Sequence, residues 1–190
     1  AQRQVEGLGE FDQAQRYWLR YTQPDLIEQG LKERVQSMVV SGDLIKYNYE
    51  NADDLNTPIR LTYEFQGKNF LWRSGRVRIM PPLAAMDASI AAKSARVYPL
   101  ELGQPHSKES VFEIKLEKNF ILKYLPEKVD VQSPWLDYLV NYEFKGKVLK
   151  ISQKEILKLR EVRPEEYLKF KRFLEDLAGK LKEYIILEKR

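Results

Sequence analysis

The sequence predicts an α+β fold that is mostly β. Several short segments alternate apolar and polar residues, which is the period of a half-buried antiparallel strand. Two longer segments, 24–39 and 164–181, repeat apolar residues at helical spacing instead. Turn-forming residues separate the alternating segments. We therefore expect a first half made of a helix and an antiparallel meander, and an antiparallel β-sandwich-like second half with a packed C-terminal helix.

The N-terminal lobe is predicted over residues 1–80. Residues 1–22 are interpreted as a strand or extended segment that leads into a helix. A second helix is expected over 24–39, because Pro24 suits a first helical turn and one apolar stripe recurs along the segment. The stripe consists of Ile27, Leu31, Val35 and Met38.

The meander completes this lobe. From Asp43 the apolar residues recur with period two, first up to Glu50 and then from Ile59 to Phe65. A hairpin turn is predicted at Gln66-Gly67-Lys68, with Phe70 and Trp72 continuing the ladder. Another turn is predicted at Ser74-Gly75, followed by a short strand that contains Val77 and Ile79.

Residues 81–95 are rich in alanine and are interpreted as a connector between two lobes. Because alanine supplies little side-chain volume, we expect this segment to add little to the core. The second, β-sandwich-like lobe is predicted over 96–190. Whether both lobes form one continuous domain is left open by the sequence.

The second lobe combines short strands with one strong helix. The clearest ladder runs from Leu136 to Phe144 and turns at Lys145-Gly146-Lys147 into a long return strand. Pro164 is predicted to begin the helix, whose apolar face packs on the sheet. That face consists of Tyr167, Phe170, Leu174, Leu177 and Leu181, and Tyr184 to Leu187 are expected to return as a final strand.

The composition excludes several kinds of site. The chain has no cysteine and one histidine, which excludes disulfides, zinc–thiolate sites and a cysteine nucleophile within it. The net charge is +4, and the basic residues of 147–190 interleave with acids as they do on a solvated face. No finger spacing or RNA-binding aromatic motif is present, so we predict no nucleic-acid partner. No apolar run is long enough to predict a transmembrane segment.

No arrangement of residues predicts catalysis. His106 lies in Gly103–Ser107, which is interpreted as a loop tip, and the adjacent Ser107 is not placed to form a dyad with it. The carboxylate pairs Asp53-Asp54 and Glu165-Glu166 are explained by a turn and a helix start, respectively. We therefore predict no catalytic, cofactor-binding or metal-binding residue, no cofactor, and no enzyme activity for this chain.

Aromatic residues are the remaining lead, since they make up 12% of the chain. Trp72 falls in a strand ladder, so we expect it in the core. Trp135 follows Pro134 between two strands and is expected to be partly exposed. Because tryptophan is enriched in interaction surfaces, the candidate contact residues are Tyr17, Trp18 and Trp135.

A series of motifs follows the chain from end to end. Gly9, Arg16 and the turn at 51–58 lie in the first half. The second half continues with a set of motifs in fixed order: Arg96–Leu100, Tyr124–Glu127, Val129–Val131, Tyr138–Phe144 and Val162–Tyr167. In this order they resemble the C-terminal region of bacterial transglutaminase-like proteins, in which domains of unknown function flank a transglutaminase core.

The resemblance implies a role outside the catalytic core. In that family the chemistry belongs to a Cys-His-Asp core, and this chain has no cysteine. The chain therefore resembles an accessory module downstream of such a core, which would lie in the same parent polypeptide. The resemblance also implies a periplasmic or exported location.

Three functional hypotheses follow. The first is a non-catalytic accessory or interaction module of a larger transglutaminase-like protein. The second is a β-sandwich module that binds carbohydrate or another cell-envelope ligand, as the aromatic content favours. The third is an independent hydrolase that uses carboxylates, and it ranks last because no acid pair has a context that demands a perturbed pKa.

Overall fold

The structure is a computed structural model that describes residues 1–39, 41–67 and 70–190. It is 42% strand and 24% helix, with antiparallel sheets and a C-terminal helix. The predicted mostly-β α+β class is therefore confirmed. The α-helices of the described residues are α1 (Glu10–Tyr21), α2 (Pro24–Met38) and α3 (Tyr167–Lys180).

The strands divide between the two halves of the chain. The first half contains β1 (Gln2–Gly9), β2 (Gly42–Glu50), β3 (Arg60–Gly67), β4 (Trp72–Ser74) and β5 (Val77–Met80). The second half contains β6 (Leu100–Glu101), β7 (His106–Lys115), β8 (Phe120–Tyr124), β9 (Val129–Val131), β10 (Leu136–Lys145), β11 (Val148–Leu157), β12 (Glu161–Val162) and β13 (Ile185–Lys189).

The two N-terminal helices form as their sequence predicts. Strand β1 passes directly into α1 at Gly9, whose φ of 70° lies in the left-handed region that glycine adopts without strain. Helix α2 begins at Pro24 and buries the predicted stripe residues Ile27, Leu31 and Val35. These side chains cover one face of the sheet that β1 enters.

The larger sheet has seven strands in the order β2-β3-β1-β7-β11-β10-β9, and all neighbours are antiparallel. Strand β1 lies between β3 and β7, with Gln2 opposite Glu64 on one side and Glu113 on the other. The sheet thus contains strands from residues 1–80 and from residues 96–190. Predicted hairpin β10–β11 is present, and it turns at Gly146 with a φ of 63°.

The smaller sheet has four strands in the order β4-β5-β13-β8. The expectation that Phe70 and Trp72 continue the β3 ladder is wrong, because β4 pairs with β5 in this second sheet. The predicted turn at Gln66-Gly67-Lys68 includes Lys68, which lies outside the described residues. The predicted final strand is confirmed as β13, which lies in the middle of this sheet.

A third sheet pairs β6 with β12, and all three sheets contribute with the three helices to one buried apolar cluster among the described residues. Helix α3 begins at Tyr167 rather than at Pro164, because residues 164–166 form a turn before it. Its predicted apolar face is buried. Ala84 and Ala91 are also buried, so the alanine-rich segment contributes to the core more than its side-chain volume predicts. Among the helices of the described ranges, none combines the length and the apolarity needed to cross a bilayer.

Candidate functional site

The predicted contact residues on α1 have different surroundings. Tyr17 is 70% exposed, and its ring lies 5.1 Å from that of Tyr21, centroid to centroid. Trp18 packs inward, with the guanidinium of Arg34 4.3 Å from its ring centroid. It also packs on Gly30, where an added Cβ would lie 3.1 Å from the indole, so this glycine makes room for the tryptophan. Tyr17 is therefore the more accessible member of the predicted pair.

Trp135, the third predicted contact residue, is buried. Only 7% of it is exposed, so the expectation of partial exposure is wrong. The hydroxyl of Ser133 accepts hydrogen bonds from the backbone N–H groups of Trp135 and Leu136 and fixes the turn before β10. The indole ring then packs edge-on against Phe170 at 5.5 Å. The structure therefore places Trp135 under α3 and does not bring it together with Tyr17 or Trp18.

The prediction for Trp72 is also wrong, in the opposite direction from that for Trp135. It is expected in the core but is 55% exposed, on the outer face of the four-stranded sheet. Alternation along the paired strands explains why: Met80, Ile185 and Leu187 point inward and are buried. Trp72 pairs with Ile79, which belongs to the opposite set. A period of two distinguishes two faces but does not say which face the core occupies.

The outer face carries a continuous row of apolar side chains. Trp72 lies opposite Ile79, Ile79 opposite Ile186, and Ile186 opposite Tyr124. Tyr184 extends the row, with its ring 5.5 Å from that of Trp72. We name this surface the aromatic stripe; its members are Trp72, Ile79, Tyr124, Tyr184 and Ile186. The stripe is half-exposed apolar surface across all four strands of the sheet.

Polar groups border the aromatic stripe. The hydroxyl of Tyr124 donates a hydrogen bond to Glu183 at 2.5 Å, which raises the pKa of the phenol. Lys123 and Glu188 form an ion pair at 2.6 Å, and the ammonium lowers the pKa of that carboxyl. An apolar centre with a polar rim is the usual composition of a protein–protein interface.

The residues considered for chemistry have structural partners. His106 begins β7 instead of lying at a loop tip, and its Nε2 is 3.9 Å from Glu155. Asp53 pairs with Arg20, while Asp54 accepts hydrogen bonds from Thr57 and the backbone of Asn56, which lower its pKa. Within the described ranges, no group of three or more His, Cys, Asp or Glu residues is placed to hold a metal ion.

Three cations meet on the helix-covered face of the larger sheet. Arg3 lies on β1, Lys108 on β7 and Arg34 on α2. The guanidinium of Arg3 lies 4.6 Å from the Phe112 ring centroid and donates a hydrogen bond to the Tyr63 hydroxyl at 3.1 Å. Lys108 Nζ lies 5.5 Å from the ring centroid of Phe11 in α1. We name Arg3, Arg34 and Lys108 the basic cluster.

Negative charge compensates the basic cluster only in part. The ion pairs within 4.0 Å among the described residues include none of its members. Burial lowers the pKa of Lys108, and the charges of Arg3 and Arg34 lower it further, while Glu155 opposes both effects. Burial likewise lowers the pKa of the Arg34 guanidinium. Protonated Lys108 and protonated Arg34 therefore each carry an electrostatic cost.

Replacing Lys108 with methionine is expected to raise the free energy of unfolding at pH 7, by about 1 kcal/mol. The pKa of Lys108 is lower in the folded chain than in the unfolded chain, so its charge destabilises the fold at every pH below the folded-state pKa. The difference in the free energy of unfolding between Lys108→Met and wild type should shrink as the pH rises toward 10.5, the ordinary pKa of lysine. Urea denaturation of both proteins at pH 7, 9 and 10.5 measures it; a variant that is less stable at pH 7 would contradict this account.

Sequence reasoning does not find the aromatic stripe or the basic cluster. The stripe draws its members from positions 72 to 186, and only the strand registers bring them together. The cluster depends on the pairing of β1 with β7 and on the placement of α2. One signal was available in part, since Tyr184 and Ile186 alternate within the predicted final strand.

Comparison with known proteins gives one match. No curated protein and no solved structure matches the chain. A family model does match residues 76–187, more than half of the chain, and it covers strands β5 to β12, helix α3 and the first part of β13. Its description names no transglutaminase, so the resemblance to transglutaminase-like proteins stays a hypothesis. The chain belongs to this family, which is described as a domain of unknown function (DUF3858).

Proposed function

We propose that this chain is a non-catalytic interaction module that binds a protein through the aromatic stripe. The observation that supports the proposal is the unbroken row Trp72–Ile79–Ile186–Tyr124 on the solvent side of the four-stranded sheet. The absence of cysteine excludes a cysteine nucleophile within the chain and agrees with a binding role.

Exposed apolar surface of this kind is costly in water. Burial of apolar area contributes about 25 cal/mol per Å², so a partner that covers the stripe recovers free energy that the isolated chain does not gain. Trp and Tyr are also the residues at which truncation most often weakens a protein interface by about 2 kcal/mol or more. Trp72 and Tyr184, in mutual contact, are therefore the expected energetic centre.

The composition of the stripe favours protein over carbohydrate. Aromatic rings stack on either kind of partner, but Ile79 and Ile186 in the middle of the row offer no hydrogen bond to a sugar hydroxyl. Branched aliphatic side chains match the apolar centre of a protein interface instead. The carbohydrate-binding hypothesis is kept as an outcome of the test below.

For the partner we propose a transglutaminase-like core in the same parent polypeptide, in a periplasmic or exported protein. The support for this assignment is the resemblance of the motifs, from Gly9 to Val162–Tyr167, to the region downstream of such a core. Blotting an extract of the source organism with an antibody against this domain tests it. The native band is expected to be much larger than 22.5 kDa, and a gene that begins with this chain would contradict it.

Site-specific photocrosslinking tests the stripe without requiring a known partner. A benzophenone amino acid replaces Tyr184 in the native protein, and in a matched strain it replaces Tyr17, which is more exposed and was the residue that the sequence predicted. After irradiation of living cells, we expect Tyr184 to yield a protein adduct, within or between polypeptides, and Tyr17 to yield none. Introducing Ile79→Glu should abolish the adduct.

Each other result has a definite meaning. An adduct from Tyr17 alone would show that α1 is the contact surface and that the stripe is not. An absence of protein adducts, together with glycan binding that is lost on Trp72→Ala, would replace the proposal with the carbohydrate hypothesis. If no protein adduct forms and no glycan binds, the stripe has no binding function and the proposal is overturned.

A further inference from the structure

We infer that the basic cluster is a binding site for a doubly charged oxyanion. This inference is independent of the proposed protein partner, because the cluster and the aromatic stripe lie on different sheets. The cluster comprises Arg3, Arg34 and Lys108, and it has no counter-ion within ion-pair distance among the described residues.

The register of β1 and β7 places the sheet residues of the site on one face. Arg3 lies opposite Phe112, two residues along β7 from Ser110 and four from Lys108. Residues at this spacing share a face of the strand, so Lys108, Ser110 and the Arg3 pair face the same layer. That layer is covered by α1 and α2, as shown by the approach of Lys108 to Phe11 and of Arg3 to the Met38 sulfur at 3.5 Å.

The aromatic neighbours hold the cations but do not neutralise them. Phe112, Trp18 and Phe11 each face one cationic group at 4.3 to 5.5 Å. Cation–π contacts of this kind compensate only part of the lost hydration and leave the full charge in place. Arg3 and Lys108 are half-buried, whereas Arg34 as a whole residue is exposed.

Two buried donors in this layer have no partner. Ser110 is 2% exposed, and its hydroxyl forms no hydrogen bond. The Arg3 Nε is also buried and unpaired. Buried donors are paired in the great majority of cases, and unpaired ones lose hydration without compensation. An oxyanion held between Arg3 and Lys108 would accept one hydrogen bond from the Ser110 hydroxyl and another from Arg3 Nε.

The charges indicate the class of ligand. Glu155 lies opposite Lys108 in the β7–β11 register, so one carboxylate accompanies the three cations at that position. The site therefore keeps an excess of two positive charges, which matches a phosphate group near neutral pH or a small dicarboxylate. Arginine presents a planar fork of donors that fits either oxyanion, and lysine adds a point charge.

The site requires both parts of the chain. Lys108 and Ser110 lie within the segment 76–187 that matches the family, whereas Arg3 and Arg34 lie outside it. Anion binding is therefore expected of the folded chain as a whole and not of residues 76–187 alone.

Titration with defined anions tests the site. Inorganic phosphate and succinate are each added to the full chain at low ionic strength, and binding is followed by calorimetry and by the 15N–1H shifts of the Ser110 and Lys108 amides. The variants are Lys108→Met, Arg3→Gln and the control Lys154→Met. Lys154 lies on the face of the sheet opposite to that of Lys108 and is paired with Glu109 at 2.6 Å. Its substitution by methionine removes one positive charge, as Lys108→Met does.

We expect saturable one-to-one binding of at least one of these anions by wild type and by Lys154→Met. Lys108→Met and Arg3→Gln should each weaken it by about tenfold or more. Preference for phosphate or for succinate identifies the source of the oxyanion. Because Lys108→Met is expected to be more stable than wild type, its loss of binding would not reflect unfolding.

Three results would overturn the inference. The first is the absence of saturable binding of either anion by wild type. The second is equal weakening by Lys154→Met and Lys108→Met, which would indicate a general effect of net charge. Loss of stability in Lys108→Met would show that its charge has a structural partner, and it would also contradict the site.

Discussion

Replacing Phe170 with alanine is expected to lower the free energy of unfolding by about 3–5 kcal/mol. Phe170 is 1% exposed and lies near the N-terminal end of the buried face of α3. The Trp135 ring packs edge-on against it at 5.5 Å, so the substitution leaves a cavity beside a second large ring. Both the transfer term and the cavity term are then at their upper end.

Urea denaturation followed by far-UV circular dichroism measures the loss. Leu168→Ala is the matched control, because Leu168 lies on the same helix but is half exposed, and its change should stay within about 0.5 kcal/mol. Fluorescence adds a local readout, since Trp135 should become more accessible to quenching in Phe170→Ala. Similar small losses in both variants would show that α3 is not firmly packed.

The accuracy of sequence-based prediction differs between local and long-range features. The apolar faces of α2 and α3 and the hairpin β10–β11 arise from periodicity within contiguous segments, and all were predicted. The pairing of β1 with β7 joins residues about 100 positions apart, and no local pattern encodes it. Membership of β4 in the second sheet was missed for the same reason.

The tryptophans show why the site was harder to predict than the fold. Trp72 was expected inside because it lies in a ladder, and Trp135 outside because it follows a proline. The inner set of the small sheet, including Met80 and Leu187, excludes Trp72 from the core. The turn at Ser133 and the position of Phe170 draw Trp135 inward. In both cases a tertiary neighbour decides the side chain's environment.

Replacing Arg16 with methionine is expected to cost about 3–5 kcal/mol, because it leaves a partner carboxylate mostly buried and unpaired. Arg16 Nε lies 2.6 Å from Asp12 Oδ2, and both side chains are largely buried. The same guanidinium donates to the backbone carbonyls of Asn51, Ala52 and Thr57. Removing it therefore also leaves carbonyl groups of the β2–β3 connection without a donor.

Asp12 extends this contact to the start of the next strand. Its Oδ1 accepts a hydrogen bond from the backbone N–H of Ile59 at 2.8 Å, and Ile59 belongs to the buried core. Helix α1 and the 51–59 segment are thus held together by the hydrogen bonds of Arg16 and Asp12, with the exposed Arg20–Asp53 ion pair beside them. We expect hydrogen exchange in this segment to rise in Arg16→Met, beyond the change produced by the global loss of stability.

Arg20→Met provides the control on the same helix. Arg20 pairs with Asp53 at 3.3 Å, but both side chains are exposed, so its loss should cost no more than about 1 kcal/mol. The double variant Asp12→Asn/Arg16→Met should recover part of the stability lost in Arg16→Met, because the unpaired charge is removed. If Arg16→Met and Arg20→Met had equal effects, the buried pair would have no special role, and the loop would be held by its own turn hydrogen bonds, such as that from Asn51 to the Pro58 carbonyl at 3.1 Å.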